Sequence, residues 1–389
     1  MSETLKAGVI GAGILGRLHA QYLQERDDVE LVAVSDIRRQ AAAEVAGPLG
    51  AEAYGSAAEM LAAHTLDLVN VATPDPYHAQ PTITALEAGV PNIIQEKPLA
   101  TTMTDAEAIC EAVEKHRARL FVNFANRATP LDIATCWVIR DGLLGEVVYG
   151  ESRLDDNISV PTVMWGKRTK DWAAGSSTAH FLLSHVVDLL RWYLAPAEVT
   201  DVYAIKQQKV LGYTPDLYDA FLTFSDGCHM RVKAEWIKHI DELVEFYMCF
   251  SGAEGTLVFN KRTGFGAQPG WRANLSSTVS NKHLFNMQDR LMACGANVRA
   301  LVHRPDPTTG HLEAGGADVM RSLEFQGLGY DHPMALVGHC IESIKDDNPR
   351  PATWLGPGPL PTHEDGLLQT RIIAAIIASA DSGQPVSLS

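Results

Sequence analysis

Along the first third of the chain, short and nearly uninterrupted apolar runs alternate with segments in which apolar residues recur at helical spacing. The runs are the segment leading to Gly11, then Glu30 to Ser35, Leu66 to Ala72, Asn92 to Gln95 and Leu120 to Phe124. Helical spacing falls on Leu18 to Leu23, Gln40 to Leu49, Ser56 to Ala63, Pro81 to Ala88 and Asp105 to Lys115. Continuous apolar runs suit strands buried on both faces, and a helix between successive strands implies right-handed crossovers and a parallel sheet. The pattern predicts a doubly wound α/β domain over residues 1–125.

From residue 145 strand follows strand: Glu146 to Arg153, Glu198 to Gln207, Tyr218 to Phe224, Cys228 to Ile237, Glu242 to Ser251 and Gly255 to Phe259. The turns at Ser225-Asp-Gly227 and Gly252-Ala-Glu-Gly255 are too short for crossovers, which predicts antiparallel pairing. Residues 126–389 therefore read as an α+β domain with a large open, mainly antiparallel sheet. Helices can cover one apolar face of such a sheet, so the other predicts a homo-oligomer, a dimer or tetramer. Asn260 to Gly329 reads as loop with one or two helices. His332 to Lys345 and Asp365 to Ser382 are amphipathic helices, the last free to pack back on the first domain, with Pro349, Pro351, Pro357, Pro359 and Pro361 marking an extended connection.

Between the first strand and the first helix stand Gly11, Gly13 and Gly16, in the run Lys6-Ala-Gly-Val-Ile-Gly-Ala-Gly-Ile-Leu-Gly16. The first glycine allows the tight turn, the second lets the backbone approach a pyrophosphate, and the third lets helix and strand pack closely. Asp36 lies 20 residues beyond Gly16, at the end of the second strand, where a carboxylate can accept both ribose hydroxyls of NAD. As a mere turn residue it would need no such context. Arg38 and Arg39 could hold a 2'-phosphate, but Asp36 would repel it, so NAD is favoured over NADP.

The formal net charge of -15 excludes a broad nucleic-acid surface, which needs clustered Lys and Arg. No signal peptide or charge-free apolar span is present, so a cytoplasmic enzyme with no membrane contact is expected. The six cysteines show no CxxC pair and no zinc spacing, and read as buried, reduced thiols with no metal site.

Three stretches fall at predicted strand ends, where ligands sit in doubly wound sheets: Val71-Ala-Thr-Pro-Asp75, Gln95-Glu-Lys-Pro98 and Phe124-Ala-Asn-Arg127. Lys97 could donate a hydrogen bond to a substrate hydroxyl and stabilise an alkoxide as hydride leaves carbon. Taken alone, a Glu-Lys-Pro tripeptide is usually a solvated turn. Trp165-Gly-Lys-Arg-Thr-Lys170 with Trp172 is a basic and aromatic loop in an acidic chain. It reads either as a solvated surface loop or as a subsite in which Trp165, Arg168 and Trp172 hold an acidic sugar.

The glycine turn, Ala72-Thr73-Pro74, Glu96-Lys97-Pro98, the Phe124 to Pro130 stretch and the closing Glu364-Asp-Gly366 together resemble the Gfo/Idh/MocA oxidoreductases over the whole chain. The resemblance implies a Rossmann domain holding NAD and an open-sheet domain forming the substrate site and much of the oligomer interface. Cofactor contacts are expected from Gly11, Gly13, Ile14, Leu15, Gly16, Asp36, Arg38, Ala72, Thr73, Pro74, His78, Glu96, Lys97 and Arg127. The family's histidine carries over to His185, in Ser184-His-Val-Val-Asp188, as general base on the reacting hydroxyl, with Lys97 stabilising the oxygen. Asn126 joins His185 and Lys97 at the substrate. Family members often carry Asp or Asn four residues before this histidine; here that position is Phe181, with His180 beside it. Either His180 has taken a polar role, or Lys97 and His185 act alone. The expected reaction is NAD-dependent oxidation of a secondary hydroxyl of a sugar, sugar acid or cyclitol. The alternatives are a redox-neutral NAD-dependent glycosidase and a non-catalytic nucleotide sensor.

Overall fold

The structure, a computed structural model, describes residues 4–262, 270–303, 320–326 and 332–388. Its contacts divide the chain into two compact units, one of residues 1–125, 332–354 and 358–374, the other of residues 126–331, 355–357 and 375–389.

The first unit is built on six parallel strands: β1 (Leu5–Ile10), β2 (Val29–Ser35), β3 (Glu52–Tyr54), β4 (Leu68–Val71), β5 (Asn92–Glu96) and β6 (Arg119–Asn123), in the order β3-β2-β1-β4-β5-β6. Every residue of β4 and β5 is buried, as strands covered on both faces require. Helices α1 (Ile14–Gln24), α2 (Arg39–Ala46), α3 (Ala57–Ala63), α4 (Ala79–Glu87) and α5 (Met103–His116) follow the first five strands in turn. Ser56 and Thr102 cap α3 and α5, each side-chain oxygen accepting from a backbone N–H three residues on. The short β3 escapes the apolar pattern because none of its residues is fully buried. The strand order reverses between β1 and β4, so the carboxyl ends of these two strands flank the position where such sheets bind ligands. Helix α11 (Ala335–Asp346) also belongs to this unit, and α12 (His363–Ser382) begins in it.

Among the described residues the second unit carries ten strands: β7 (Val147–Asn157), β8 (Val199–Gln207), β9 (Leu217–Phe224), β10 (His229–Lys238), β11 (Val244–Gly252), β12 (Gly255–Arg262), β13 (Gly270–Leu275), β14 (Val298–His303), β15 (Met320–Phe325) and β16 (Val386–Ser387). Their order is β14-β15-β13-β12-β11-β7-β10-β9-β8-β16. The hairpins β9–β10 and β11–β12 are antiparallel, whereas β7 and β10 pair in parallel, an exception to the expected antiparallel pairing. The helices are α6 (Pro130–Arg140), α7 (Ser159–Thr162), α8 (Thr169–Gly175), α9 (Ser184–Leu194) and α10 (Asn281–Ala293). Burial alternates along β8 to β10, so one face of the sheet is core. The opposite face exposes Tyr203, Phe221 and Ile205, and Tyr203 pairs directly across from Phe221.

The loop expected over Asn260 to Gly329 is corrected where it is described: it holds the end of β12, all of β13, β14 and β15, and one helix, α10. Trp271, Ala273 and Leu275 alternate into the core, and the Gly and Asn beside them masked that period. Residues 263–269, 304–319 and 327–331 of that stretch lie outside the described residues. Of the six cysteines, five are buried and Cys249 is half-buried, which corrects the expectation for that one. Among the described residues no helix is long and apolar enough to cross a membrane, and no cluster of His, Cys, Asp and Glu is arranged to hold a metal ion.

Candidate functional site

In the first unit the glycine turn links β1 to α1. Gly11 has φ +100°, and a Cβ there would lie 2.6 Å from the carbonyl oxygen of Ala72. A Cβ on Gly16 would lie 1.8 Å from the oxygen of Gly11, so helix and strand can meet there only without a side chain. Gly13 differs, since a Cβ would meet no protein atom within 4 Å. Its bareness serves what lies outside the fold, which fits a pyrophosphate. Gly13 is also the N-cap of α1 and supplies no side-chain cap, so the helix dipole and first-turn N–H groups remain for an anion.

Asp36, at the end of β2, accepts from Ala12 N at 2.9 Å and from Arg38 N at 2.8 Å, and the Arg38 Nε lies 3.5 Å from its carboxylate. The acid is thus tied to the glycine turn. Ile14 and Leu15 are exposed apolar side chains at the start of α1, as is Ile37, 89% exposed beside Asp36. Ile37 carried no signal in the glycine spacing; an exposed isoleucine next to the ribose acid is the signal that marks it. After β4, Thr73 Oγ1 donates to Tyr77 O, and His78 is buried with Nδ1 2.7 Å from Pro98 O and Nε2 2.8 Å from Thr73 O. His78 therefore joins the Ala72-Thr73-Pro74 loop to the segment after β5.

Glu96 ends β5 and is buried, with Oε1 2.7 Å from both His19 Nε2 and Asn123 Nδ2. Burial raises its pKa, but the hydrogen bond and charge of His19, the Asn123 amide and the charge of Lys97 outweigh this, leaving it below the usual carboxylate value. Glu96 is thereby held inward. Lys97 follows it, buried, and the Lys97–Pro98 peptide is cis.

The second unit holds a cavity of about 260 Å³, near the lower limit of small-molecule sites. His185, Asn126, Asp156 and Lys261 line it, among apolar Leu154, Met164, Phe181 and Phe246. His185 stands in the first turn of α9, and the turn before it, Ala179–Leu183, is a π-helix, a local widening frequent at functional sites. Asn126 Nδ2 lies 3.2 Å from His185 Nδ1, and Lys261 Nζ lies 2.7 Å from Asn126 Oδ1 and 2.6 Å from Asp132 Oδ2. Asp156 is 4% exposed and accepts from the Trp236 indole at 3.2 Å.

Phe181, at the position of the family carboxylate, lines the same cavity as His185. Its ring meets Trp172 edge-on at 4.9 Å and Trp165 at 6.1 Å, while Trp165 and Trp172 lie 4.0 Å apart. These two tryptophans back the aromatic wall, and Arg168 is exposed. His180 is half-buried, with Nδ1 2.9 Å from Ser177 Oγ. Arg127, expected at the cofactor, is 3% exposed in the second unit and makes a bidentate pair with buried Asp188 at 3.0 and 2.6 Å.

Asp156 and Lys261 are the cavity residues that motif reading misses. Period-two phase would have found both. Asp156 shares the inward phase of Leu154, and Lys261 that of Leu257 and Phe259, so each is a charge at a core position.

A family model described as the oxidoreductase family, NAD-binding Rossmann fold, matches residues 5–124, and one described as the GFO/IDH/MocA C-terminal domain matches residues 137–258. The first unit is thus an NAD-binding Rossmann domain. The chain is 31% identical over 211 residues to the D-glucoside 3-dehydrogenase of Escherichia coli, covering 54% of this chain and 59% of the relative. It is 30% identical over 204 residues to the inositol 2-dehydrogenase of Rubrobacter xylanophilus, covering 52% and 55%. The matched part spans little more than half the length of these curated relatives. Among solved structures, levoglucosan dehydrogenase in complex with NADH has the same fold, with TM-score 0.75 and 20% identity over 100% of both chains.

Proposed function

Because the chain belongs to the Gfo/Idh/MocA oxidoreductase family, we propose that it catalyses NAD-dependent oxidation of a secondary hydroxyl on a sugar, sugar acid or cyclitol, or the reverse reduction. The observation that carries this reading is His185 on the wall of a compact cavity whose other polar groups are Asn126, Asp156 and Lys261. Several hydrogen-bonding side chains among apolar walls suit a small polyol, which presents hydroxyls at its rim and C–H groups on its ring faces. The relatives named as glucoside and inositol dehydrogenases support this substrate class.

Bound NAD supplies the hydride acceptor. Gly11, Gly13 and Gly16 shape its pyrophosphate cradle, and Asp36 receives its ribose. Lys97 stabilises negative charge developing on the substrate oxygen, and His185 hydrogen-bonds that oxygen. Asp156, a buried carboxylate, orients a neighbouring hydroxyl.

Two variants test the assignment. Lys97→Met and His185→Ala should each retain NAD binding by titration calorimetry while turnover with a responding sugar falls by roughly 10²- to 10⁴-fold. Near-normal kcat in both would remove these residues from the chemistry.

A further inference from the structure

The hydrogen bonds behind His185 run in one direction, and that direction decides which ring nitrogen bears the proton. Their origin is Asp132 on α6, a fully buried carboxylate. The Tyr193 hydroxyl donates to its Oδ1 at 2.6 Å, and the Thr129 hydroxyl and Lys261 Nζ donate to its Oδ2. An ammonium has three N–H donors and no acceptor. Those of Lys261 are directed to Asp132 Oδ2, to Thr129 Oγ1 at 3.4 Å and to Asn126 Oδ1 at 2.7 Å. Lys261 thereby compels the Asn126 amide to turn its oxygen toward the ammonium. The amide nitrogen then faces His185 Nδ1 at 3.2 Å and can only donate. Nδ1 must be the acceptor, which in a neutral imidazole leaves the proton on Nε2. The other tautomer would set two donors against each other at a half-buried site.

We infer that Asn126 and Lys261 are positioning residues that hold neutral His185 as its Nε2–H tautomer, so that the histidine offers the substrate oxygen a hydrogen-bond donor. The identity of that oxygen rests on the proposed dehydrogenase reading; the tautomer follows from the network. Phe181 fits this arrangement, because a ring oriented by Asn126 needs no carboxylate from the preceding turn. In this tautomer His185 polarises the oxygen as a donor, and the hydroxyl proton released on oxidation passes to solvent.

The test is nitrogen NMR on the full chain with labelled histidine, the His185 signals being assigned by their loss in His185→Gln. Neutral His185 should carry its proton on Nε2. Asn126→Asp keeps the shape but exchanges the donor for an acceptor, so the proton should move to Nδ1. Lys261→Met frees the amide to turn, and a second His185 tautomer should appear. An Nδ1–H signal in the unaltered protein, or an unchanged Nε2–H signal in both variants, overturns the inference. This readout needs no substrate: a tautomer that switches as stated in a protein that oxidises no sugar or cyclitol upholds the positioning and refutes the dehydrogenase reading.

Discussion

Arg127 and Asp188 form a deeply buried charge pair in the second unit, 3% and 1% exposed, joined by two hydrogen bonds. Removing one partner strands the other charge. Arg127→Met should therefore destabilise the protein by about 3–5 kcal/mol in chemical denaturation, without a selective loss of NAD affinity. A loss of NAD affinity with unchanged stability would contradict this and support the expected cofactor contact. Asp36 calls for the converse experiment. Asp36→Ala should weaken NAD binding and narrow the preference for NAD over NADP, because Arg38 and Arg39 remain while the repelling carboxylate is gone; titration of both nucleotides reads this directly. At this scale the glycines and Asp36 were legible as a nucleotide-binding pattern because their spacing is short-range, whereas Lys97 was singled out by its place at a predicted strand end together with the family resemblance, and His185 through the resemblance. Asp156 and Lys261 show only in the phase of their strands, and the link of Lys261 to Asp132 not at all, since 129 residues separate the two ends of the Lys261–Asp132 contact and no local motif joins them.

β7 shows how an element divides its labour. Asp155 and Asp156 are consecutive, so they point to opposite faces: Asp156 to the cavity, Asp155 to a cluster with Lys233 and Lys238. Burial pushes the Asp155 carboxyl up to about 6, an effect that Lys233 and Lys238 only partly offset and Glu235 adds to. In the unfolded chain the same group titrates near ~3.9. Between these values the folded state binds the extra proton, so Asp155 makes the fold less stable as pH rises from about 4 to about 6, by roughly 2–3 kcal/mol in all. Urea unfolding of Asp155→Asn across that range should lack this decline; parallel curves for the two proteins would contradict it. Elements with a clean period were readable from sequence, as for β8 to β10. Those with Gly or Asn inside a short strand, such as β13, were not, and the parallel β7–β10 pair depends on contacts that no turn specifies.

At the scale of the whole molecule, the second unit leaves Tyr203, Ile205 and Phe221 exposed on the face of the sheet opposite its core. Monomers seldom leave clustered large apolar side chains in water, which supports the proposal that this face joins copies of the chain. Sedimentation should show a dimer or tetramer that Phe221→Glu shifts toward monomer; a monomeric unaltered protein would contradict the proposal. The division of work between an NAD-binding Rossmann unit and an open-sheet unit was legible in the change from alternating strands and helices to successive strands. The substrate was not, because the cavity is assembled from β7, α9, β11 and β12 together. The most direct measurement is the near-UV absorbance of reduced nicotinamide when the protein and NAD meet a panel of free sugars, sugar acids, cyclitols and matching glycosides. Accumulation with one free sugar, acid or cyclitol is the predicted result. Release of aglycone from a glycoside with no net reduction of NAD, or no response across the panel, would contradict the proposed dehydrogenase.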